Sequence, residues 1–326
     1  MKSISLAAAV FAAGFVAVTA QSASAANVKV TPLGSVEGEF CKFDRAMIFE
    51  DPDGTRILYD AGRTVAGAED SRLGKIDALL VSHMHGDHVL GLPGLLSTMS
   101  LLGRKEPLDV WGPPGLEDWM SATWKAIEAH LTFDIQVKNW SNSEPHILVE
   151  TEKYRLTSIP VKHRVPCCGL KVEEHSLPWK LDGKKAGEAR LPYHVRQSLK
   201  RGEPVEFEGQ MLDPAKWCAP PPAARSYVYS ADTRPCAGLL QAAEGASVLY
   251  HDATFNAEDH QRAKSTYHST TVEAARLARQ AGVGTLLLGH ISLRYRDLEA
   301  LRNEALQEHP RVEVARDGMV WRVMSS

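Results

Sequence analysis

A cluster of four potential metal ligands directly follows an apolar run, and this arrangement constrains the fold more than any other part of the chain. Residues 76–82 are nearly continuously apolar and predict a buried strand. The strand leads into the run His83-Met84-His85-Gly86-Asp87-His88. Imidazole and carboxylate groups together suit zinc or a similar divalent ion, and the glycine allows a tight backbone turn between them. The cluster therefore predicts a metal site at the end of a strand.

Three further candidate ligands each follow a predicted strand. The strands are expected at residues 154–160, 226–231 and 285–288, and the candidate ligands behind them are His163, Asp232 and His290. One histidine in such a place is more often structural than metal-binding. An ordered set of three after the first cluster favours a shared site, so the chain offers enough ligands for two metal ions.

Strand-like and helix-like segments alternate along the chain, which predicts an α/β layered protein. Further strands are expected at residues 27–31, as an edge strand, at 45–49, 56–59, 108–111 and 247–250, and as a closing pair at 312–315 and 320–323. Helices are expected between His88 and residue 101, and at residues 119–130 and 272–281. The polar residues of interest lie where strands end.

Residues 172–224 differ from the rest, because they are polar, interrupted by prolines and poor in periodicity. Between residues 180 and 201 lie seven basic residues, opposed there only by Asp182 and Glu188: Lys180, Lys184, Lys185, Arg190, Arg196, Lys200 and Arg201. We interpret the section as an inserted arm. A solvated surface loop and a surface that contacts the substrate are both open as its role.

The N-terminus has the pattern of a secretory signal peptide. Lys2 precedes an apolar stretch at residues 6–20, and Ala23-Ser24-Ala25 provides a cleavage site, so residues 1–25 are expected to be removed. An uncleaved membrane anchor is the alternative, which the short apolar length disfavours. No later segment is apolar enough to cross a membrane. We therefore expect an exported, periplasmic protein.

Charge and cysteine content leave the partner and the disulfide pattern open. The formal net charge of −3 indicates neither a nucleic acid nor an acidic partner for the whole chain. Export permits disulfides, but the odd count of five cysteines leaves at least one thiol unpaired in a monomer. Cys167 and Cys168 are adjacent, and neighbours rarely bridge each other without strain.

Six segments, in order, resemble motifs of the metallo-β-lactamase superfamily and specifically of its ribonuclease Z-like branch. They are residues 82–88 with 91–95, 161–166, 230–235, 251–255, 268–270 and 289–290. The resemblance implies a four-layer αββα sandwich over residues 26–326, with residues 172–224 as the inserted arm. It also implies a homodimer.

The resemblance further implies a role for each candidate site residue. A first metal ion would be bound by His83, His85 and His163, and a second by Asp87, His88 and His290, with Asp232 bridging the two. Asp60 would support the metal-binding loop. His268 would donate a proton to the leaving group, positioned by the loop that contains His251 and Asp252.

The chemistry implied is hydrolysis. Two divalent ions, zinc by resemblance, lower the pKa of a shared water so that a metal-bridging hydroxide forms at neutral pH, and they neutralise charge in the transition state. Asp87 can accept a proton from the water, and His268 can protonate the departing alkoxide. Arg294 and Tyr295 are candidates for contacting an anionic group, with a surface ion pair as the alternative.

Three departures from the branch bear on the substrate. The Pro-x-Lys-x-Arg-Asn pattern of ribonuclease Z is absent from residues 37–45, the His-Glu-Ala-Thr loop has Asp252 in place of the glutamate, and the leader indicates export. Exported members of the branch include arylsulfatases and cyclic-nucleotide phosphodiesterases, and the segment at residues 60–63 resembles those hydrolases. A small anionic ester or nucleotide is thus the expected substrate, and transfer RNA is less expected although the basic arm favours a polyanion.

The sequence hypothesis is therefore a binuclear hydrolase of phosphate or sulfate esters, with phosphodiester cleavage favoured. The alternatives are an arylsulfatase, a ribonuclease Z-type endoribonuclease, and a lactonase or β-lactamase-like hydrolase. A non-catalytic protein that binds metal or nucleic acid is the least favoured, because loss of catalysis usually leaves gaps in the ligand set.

Overall fold

The computed structural model describes residues 28–32, 46–50, 54–62, 75–316 and 319–323, the first range by its backbone. The predicted signal peptide at residues 1–25, the departure at residues 37–45, Cys41 and Arg63 lie outside these ranges.

A seven-stranded sheet forms one half of the body. Its strands are β1 (Val28–Pro32), β2 (Met47–Glu50), β3 (Arg56–Tyr59), β4 (Ala78–Leu80), β5 (Leu108–Gly112), β6 (Ile135–Asn139) and β18 (Trp321–Val323). The spatial order is β18-β1-β2-β3-β4-β5-β6. From β3 to β6 neighbouring strands are parallel, and the remaining pairs are antiparallel.

A second seven-stranded sheet forms the other half. Its strands are β7 (His146–Glu150), β8 (Tyr154–Pro160), β9 (Cys168–Glu174), β14 (Ser226–Tyr229), β15 (Val248–Asp252), β16 (Thr285–Gly289) and β17 (Val312–Val314). The order is β17-β16-β15-β14-β9-β8-β7. The four strands from β14 to β17 are parallel, whereas β7, β8 and β9 form antiparallel pairs.

Helices cover the outer face of each sheet. On the first sheet lie α1 (Gly86–Val89), α2 (Leu92–Leu101) and α3 (Leu116–Ala126), and after β14 come α7 (Ala237–Ala242), α8 (His260–Thr266), α9 (Thr271–Gln280) and α10 (Leu298–Leu306). Side chains alternate between the two faces of each strand. Tyr59 and Tyr229 therefore enter the core between the sheets, Leu58 packs under the helices of the first sheet, and Val228 under those of the second. The four layers αββα are as expected.

The pairing of the terminal strands differs from two of the sequence-based expectations. β1 is not an edge strand, because it pairs with β18 on one side and with β2 on the other. The expected closing pair does not form: β17 pairs with β16 in the second sheet, while β18 pairs with β1 in the first. Both differences arise from pairing between distant parts of the chain. The local alternation of apolar and polar residues does not predict such pairing.

The section predicted as an arm is a folded insertion between β9 and β14. Residues 172–174 belong to β9, so the insertion begins after Glu174. Its elements are β10 (Lys180–Leu181), α4 (Gly183–Glu188), α5 (Tyr193–Lys200), β11 (Val205–Phe207), β12 (Gln210–Leu212), α6 (Pro214–Trp217) and β13 (Cys218–Ala219). At its base, Arg225 Nε donates to Glu174 Oε2 at 2.8 Å.

The arm has a small apolar core of its own. The buried members are Ala186, Leu191, Val195, Leu199, Leu212 and Cys218. Val195 and Leu199 are four residues apart on α5, which places them on one face of that helix. This short helical period is the signal that the sequence analysis overlooked.

The cysteines of the described ranges, Cys167, Cys168, Cys218 and Cys236, are all free thiols. Among the same residues, the structure contains no helix with the length and apolar character needed to span a membrane.

Candidate metal centre

The candidate ligands come together because several strands end at the same side of the molecule. Polar residues follow the carboxyl ends of β3, β4, β8, β14 and β16, and parallel strands bring such ends to one edge. The residues in question are Asp60, His83, His85, Asp87, His88, His163, Asp232 and His290. Each sheet therefore contributes part of one site.

Three of the strand ends have the same unusual backbone. Asp60, Ala231 and His290 have φ values of 58°, 50° and 57°. This left-handed region costs a non-glycine residue roughly 1–2 kcal/mol. Two of the three are candidate site residues, and Ala231 directly precedes Asp232. Strain of this kind concentrates where side chains are held for function.

The first group of ligand atoms consists of three imidazoles. His85 Nδ1 lies 2.9 Å from His83 Nε2 and 3.1 Å from His163 Nε2. Asp232 Oδ2 lies 3.8 Å from His83 Nε2. Two ligands of a tetrahedral zinc ion with bonds of about 2.0–2.1 Å are separated by about 3.3 Å. The four atoms are thus spaced as ligands of one ion.

The second group shares Asp232 with the first. Asp232 Oδ1 lies 3.0 Å from His290 Nε2 and 3.3 Å from His88 Nε2. Asp87 Oδ2 lies 3.5 Å from each of these two nitrogens. Because the two oxygens of Asp232 face different groups, its carboxylate is placed to bridge two ions.

Buried polar atoms without a hydrogen-bond partner indicate which kind of ligand would suit these groups. His88 Nε2, His290 Nε2 and Asp232 Oδ1 are buried and have no hydrogen-bond partner of acceptable geometry. Leaving a buried polar atom unpaired costs about 1–3 kcal/mol. Three such atoms facing one another fit a divalent cation, which would coordinate all three.

The charge states of His83 and Asp232 also fit metal binding. Burial lowers the pKa of His83, and the neighbouring His88 lowers it further. Burial would raise the pKa of Asp232, but the imidazoles of His290 and His88 outweigh it and bring that pKa well below its usual value. A neutral imidazole and an ionised carboxylate are the forms that bind metals.

Asp60 fixes the orientation of His88. Its Oδ2 lies 2.8 Å from His88 Nδ1 and also accepts from Tyr229 Oη at 2.9 Å, while Oδ1 accepts from Ser82 N at 2.7 Å. With Nδ1 engaged, His88 presents Nε2 to the second group. Burial would lower the pKa of His88, but Asp232 and Asp60 outweigh it and raise that pKa.

Two more ligand histidines are oriented in the same way. His163 Nδ1 lies 3.1 Å from the carbonyl oxygen of Tyr267, and His290 Nδ1 lies 2.6 Å from Thr254 Oγ1. In each ring the opposite nitrogen faces the ligand group. The sequence analysis assigned no role to Tyr267, Thr254, Tyr229 or Ser82, and only their closeness in sequence to His268, Asp252, Asp232 and His83 could have indicated one.

His268 lies beside the ligands and is held by Asp252. Its Nδ1 is 2.8 Å from Asp252 Oδ2 and 3.9 Å from Asp232 Oδ2. Burial would lower the pKa of His268, but the Asp252 carboxylate outweighs it and raises that pKa. Within the described part of the chain, Nε2 of His268 forms no hydrogen bond. The ring is therefore anchored at one nitrogen and available at the other.

Asp252 and His268 form a further group with Asp232 and His290 whose ligand atoms lie within 4.8 Å of one another, and the other contacts of Asp252 match the supporting role predicted for it. Its Oδ2 accepts from Thr233 N at 2.9 Å, and its Oδ1 accepts from Thr254 N at 3.0 Å. His251 is completely buried and lies outside the two ligand groups. Its Nδ1 donates to the carbonyl oxygen of Asp252 at 2.7 Å, so it holds the same loop.

Arg294 and Tyr295, the two residues predicted to contact an anion, both interact with the acidic side chain of Asp259. Tyr295 Oη donates to Asp259 Oδ2 in a short hydrogen bond, and Arg294 Nη1 lies 3.5 Å from the same oxygen. The guanidinium of Arg294 also stacks 5.3 Å above the ring of Phe255. These contacts match the surface ion pair that was the alternative, and anion binding by this pair stays a prediction.

A basic cleft of about 800 Å³ opens next to the ligand groups. Lys162 and Tyr267, which line it, are the immediate neighbours of His163 and His268. Its basic lining residues are Lys162, Arg234, His260, Lys264 and Arg276. The one acidic lining residue, Glu273, is engaged by Arg234. His260 also lies 3.4 Å from Glu273, and Arg276 is paired with Glu308. Among the described residues, Lys162 and Lys264 are therefore the lining cations without an ion pair and are the groups available to an anionic molecule.

Comparison with known proteins identifies the family. A model described as the beta-lactamase superfamily domain matches residues 55–185. Ribonuclease Z of Halorubrum lacusprofundi is 38% identical over 286 residues, covering 86% of this chain and 91% of the relative. Ribonuclease Z of Methanothermobacter thermautotrophicus is 36% identical over 274 residues, covering 83% and 88%.

Solved structures agree in fold. Human tRNase Z, short form, aligns over 91% of this chain and 99% of its own, with a TM-score of 0.63 and 22% identity. The ribonuclease Z relatives are similar over nearly their whole length. The chain belongs to the ribonuclease Z family of the metallo-β-lactamase superfamily and is a metal-dependent hydrolase.

Proposed function

We propose that this protein cleaves phosphodiester bonds in RNA, as the ribonuclease Z relatives are named for doing, with two divalent ions that we take to be zinc. The observation that carries the proposal is the pair of ligand groups that share Asp232 beside a basic cleft. The first ion would be held by His83, His85 and His163, and the second by Asp87, His88 and His290.

Two bound ions would supply an activated water and would neutralise charge on the phosphoryl oxygens. The residues of the chain itself contribute orientation and proton transfer. The carboxylate of Asp87 is about a third exposed, and we propose it as the group that accepts a proton from the water. His268 is anchored through Nδ1 to Asp252, which leaves Nε2 to donate a proton to the leaving oxygen.

The arm adds support for a polyanionic substrate. The side chains of Lys180, Lys184 and Arg190 are exposed and form no ion pair within the described residues. By contrast, Lys185 is held at the carbonyl oxygen of Lys216, and Arg196 at that of Leu191. These three free basic groups would attract a phosphate backbone through counterion release, against the opposing charge of the exposed Glu188, Glu206 and Glu208 on the same arm.

A second candidate is the hydrolysis of small phosphate or sulfate esters outside the cytoplasm. It is supported by the leader-like residues 1–25 and by the missing Pro-x-Lys-x-Arg-Asn pattern at residues 37–45. We propose export on the same grounds. N-terminal sequencing of the protein from a cell fraction would test it: a mature chain that begins at Ala26 supports export, and an intact Met1 in the cytosol contradicts it.

A substrate panel tests the activity. Zinc-loaded protein would be assayed on a transfer RNA with a 3′ extension, bis-p-nitrophenyl phosphate, p-nitrophenyl sulfate, a lactone and nitrocefin. We expect endonucleolytic cleavage of the RNA, with the small diester as a slower substrate. Turnover of p-nitrophenyl sulfate or the lactone with no cleavage of the RNA would overturn the proposal, and cleavage of the small diester alone would favour the second candidate.

A further inference from the structure

Arg164 places a guanidinium group directly at the first ligand group. It follows His163 in the chain, its side chain is exposed, and its Nη2 lies 3.2 Å from Nε2 of His85. Within the described residues it forms no ion pair with a carboxylate. Arg234 and Arg294, the other arginines near the site, are paired with Glu273 and Asp259.

The contact between Arg164 and His85 cannot persist as a hydrogen bond once the site is loaded. His85 turns Nδ1 towards the ligand group, 2.9 Å from His83 Nε2. When Nδ1 binds a metal, the proton of the neutral ring resides on Nε2, which is then a donor. An arginine is a donor only. The two donors then lie 3.2 Å apart and face the same space, where one acceptor can bind both.

We infer that Arg164 and the Nε2–H group of His85 form an anion-binding pair that holds a phosphoryl oxygen of the substrate. The planar fork of arginine matches the oxygens of a phosphate group, and a charged donor binds them more strongly than a neutral one. Because Arg164 is on the open side of the first ligand group, the phosphoryl group would be held there while the ligands stay in place. The inference rests on the proposed function, since it names a substrate contact of that site.

The test measures phosphate binding and catalysis separately. Inorganic phosphate is titrated calorimetrically into the zinc-loaded full chain, and kcat and KM are measured on the best phosphodiester of the panel. The variants are Arg164→Ala, Arg164→Lys and, as a matched control, Arg311→Ala, whose exposed side chain lies before β17 and has no described partner. Zinc content and melting temperature are recorded for each protein.

We expect Arg164→Ala to weaken phosphate binding about ten- to a hundredfold, the loss typical of a hydrogen bond to a charged group. The value of kcat/KM should fall by a similar factor, mainly through KM, while the zinc content is unchanged. Arg164→Lys should recover part of the phosphate affinity, because it keeps the charge but not the fork. Arg311→Ala should match the wild type.

The outcomes separate this inference from the proposed function. Arg164-dependent phosphate binding without any diester cleavage by the wild type would overturn the proposed function and leave the anion site standing. Cleavage of RNA with phosphate affinity and kcat/KM of Arg164→Ala within twofold of the wild type would overturn the inference alone. A loss of zinc in both Arg164 variants would show a structural role and would also overturn it.

Discussion

At the scale of single residues, Asp232 has the position on which both ligand groups depend. Its oxygens lie 3.0 Å from His290 Nε2 and 3.8 Å from His83 Nε2, and the side chain is almost fully buried. A residue with this geometry contributes charge as well as ligation, because it balances several convergent nitrogen ligands and their ions.

Asp232→Asn should remove the negative charge that balances the bound metal ions while preserving the shape of the side chain. We expect at least one metal ion per chain to be lost and kcat/KM to fall by more than about 100-fold, the upper range for residues that only support a ligand. Metal analysis and steady-state kinetics measure both. Asp118→Asn, an exposed position on α3, serves as the control. Full metal content in Asp232→Asn would contradict the shared-ligand assignment.

His268 should behave differently, because we propose it as a proton donor rather than as a metal ligand. Its Nδ1 is bound to Asp252, and its ring stacks on His290 with centroids 4.9 Å apart. His268→Gln should lower kcat about 100- to 10,000-fold, the usual range for a general acid, with an unchanged zinc content. His130→Gln, an exposed histidine, is the control. Loss of zinc in His268→Gln would mean that the residue ligates the metal.

Most of the ligand atoms could be predicted from the sequence, whereas their supporting contacts could not. His83, His85, Asp87 and His88 are adjacent in the chain and follow a recognisable strand, so local pattern is sufficient to find them. Tyr229 and Thr254 bind Asp60 and His290 across distances of 169 and 36 residues. Such contacts depend on how the sheets pack against each other, and the periodicity of residues within one segment does not predict that packing.

At the scale of elements, the strands of the body were easier to predict than those of the arm and the termini. β8 occupies Tyr154–Pro160, the same bounds as expected, and its burial alternates over its first five residues. α3 begins at Leu116 and ends at Ala126, earlier than expected, since Gly115 in the left-handed conformation starts the helix. In the arm, helices of six and eight residues span at most about two turns, so their period is limited to pairs such as Val195 and Leu199 on α5.

The arm predicts a salt-dependent effect on long substrates. Neutralising Lys180, Lys184 and Arg190 to glutamine should weaken binding of an extended RNA and reduce the slope of log K against log salt by about 2–3. Cleavage of bis-p-nitrophenyl phosphate should be unchanged, because none of the three lies at the ligand groups. A second triple variant, Lys105, Lys125 and Arg311 to glutamine, removes the same charge elsewhere on the surface.

The comparison of the two triple variants decides the role of the arm. Binding isotherms over a series of salt concentrations give the slopes. Equal slopes for both variants would show that only net charge matters, and the arm would then be an ordinary solvated surface. An effect on the small diester as large as that on RNA would indicate damage to the fold of the arm, which its melting curve would reveal.

At the scale of the whole molecule, metal binding should contribute measurably to stability. Ions that bind only the folded state at about 1,000 times their dissociation constant stabilise it by about 4 kcal/mol. Removal of metal by a chelator should accordingly lower the melting temperature by roughly 5–15 °C, and zinc should restore it. Scanning calorimetry measures the shift. A chelated protein that melts at the temperature of the loaded form would argue against a buried metal centre.

The homodimer expected from the family resemblance is also a property of the whole molecule, and it stays a prediction. Sedimentation equilibrium of the zinc-loaded chain is the direct measurement. A single species of 35.8 kDa would contradict it.

Because the ligands are divided between the two sheets, the metal site can be complete only after the chain has been synthesised as far as His290 and the sheets have packed together. His83 and His290 are separated by about two thirds of the chain, and the second group closes only when residues from both halves are in place. A nascent or truncated chain that stops before β16 contains β1 to β6 of the first sheet and still lacks His290. Zinc bound tightly at the second group would therefore indicate that the chain extends through His290 and that its two sheets have packed together. A zinc-responsive probe could follow folding to that step.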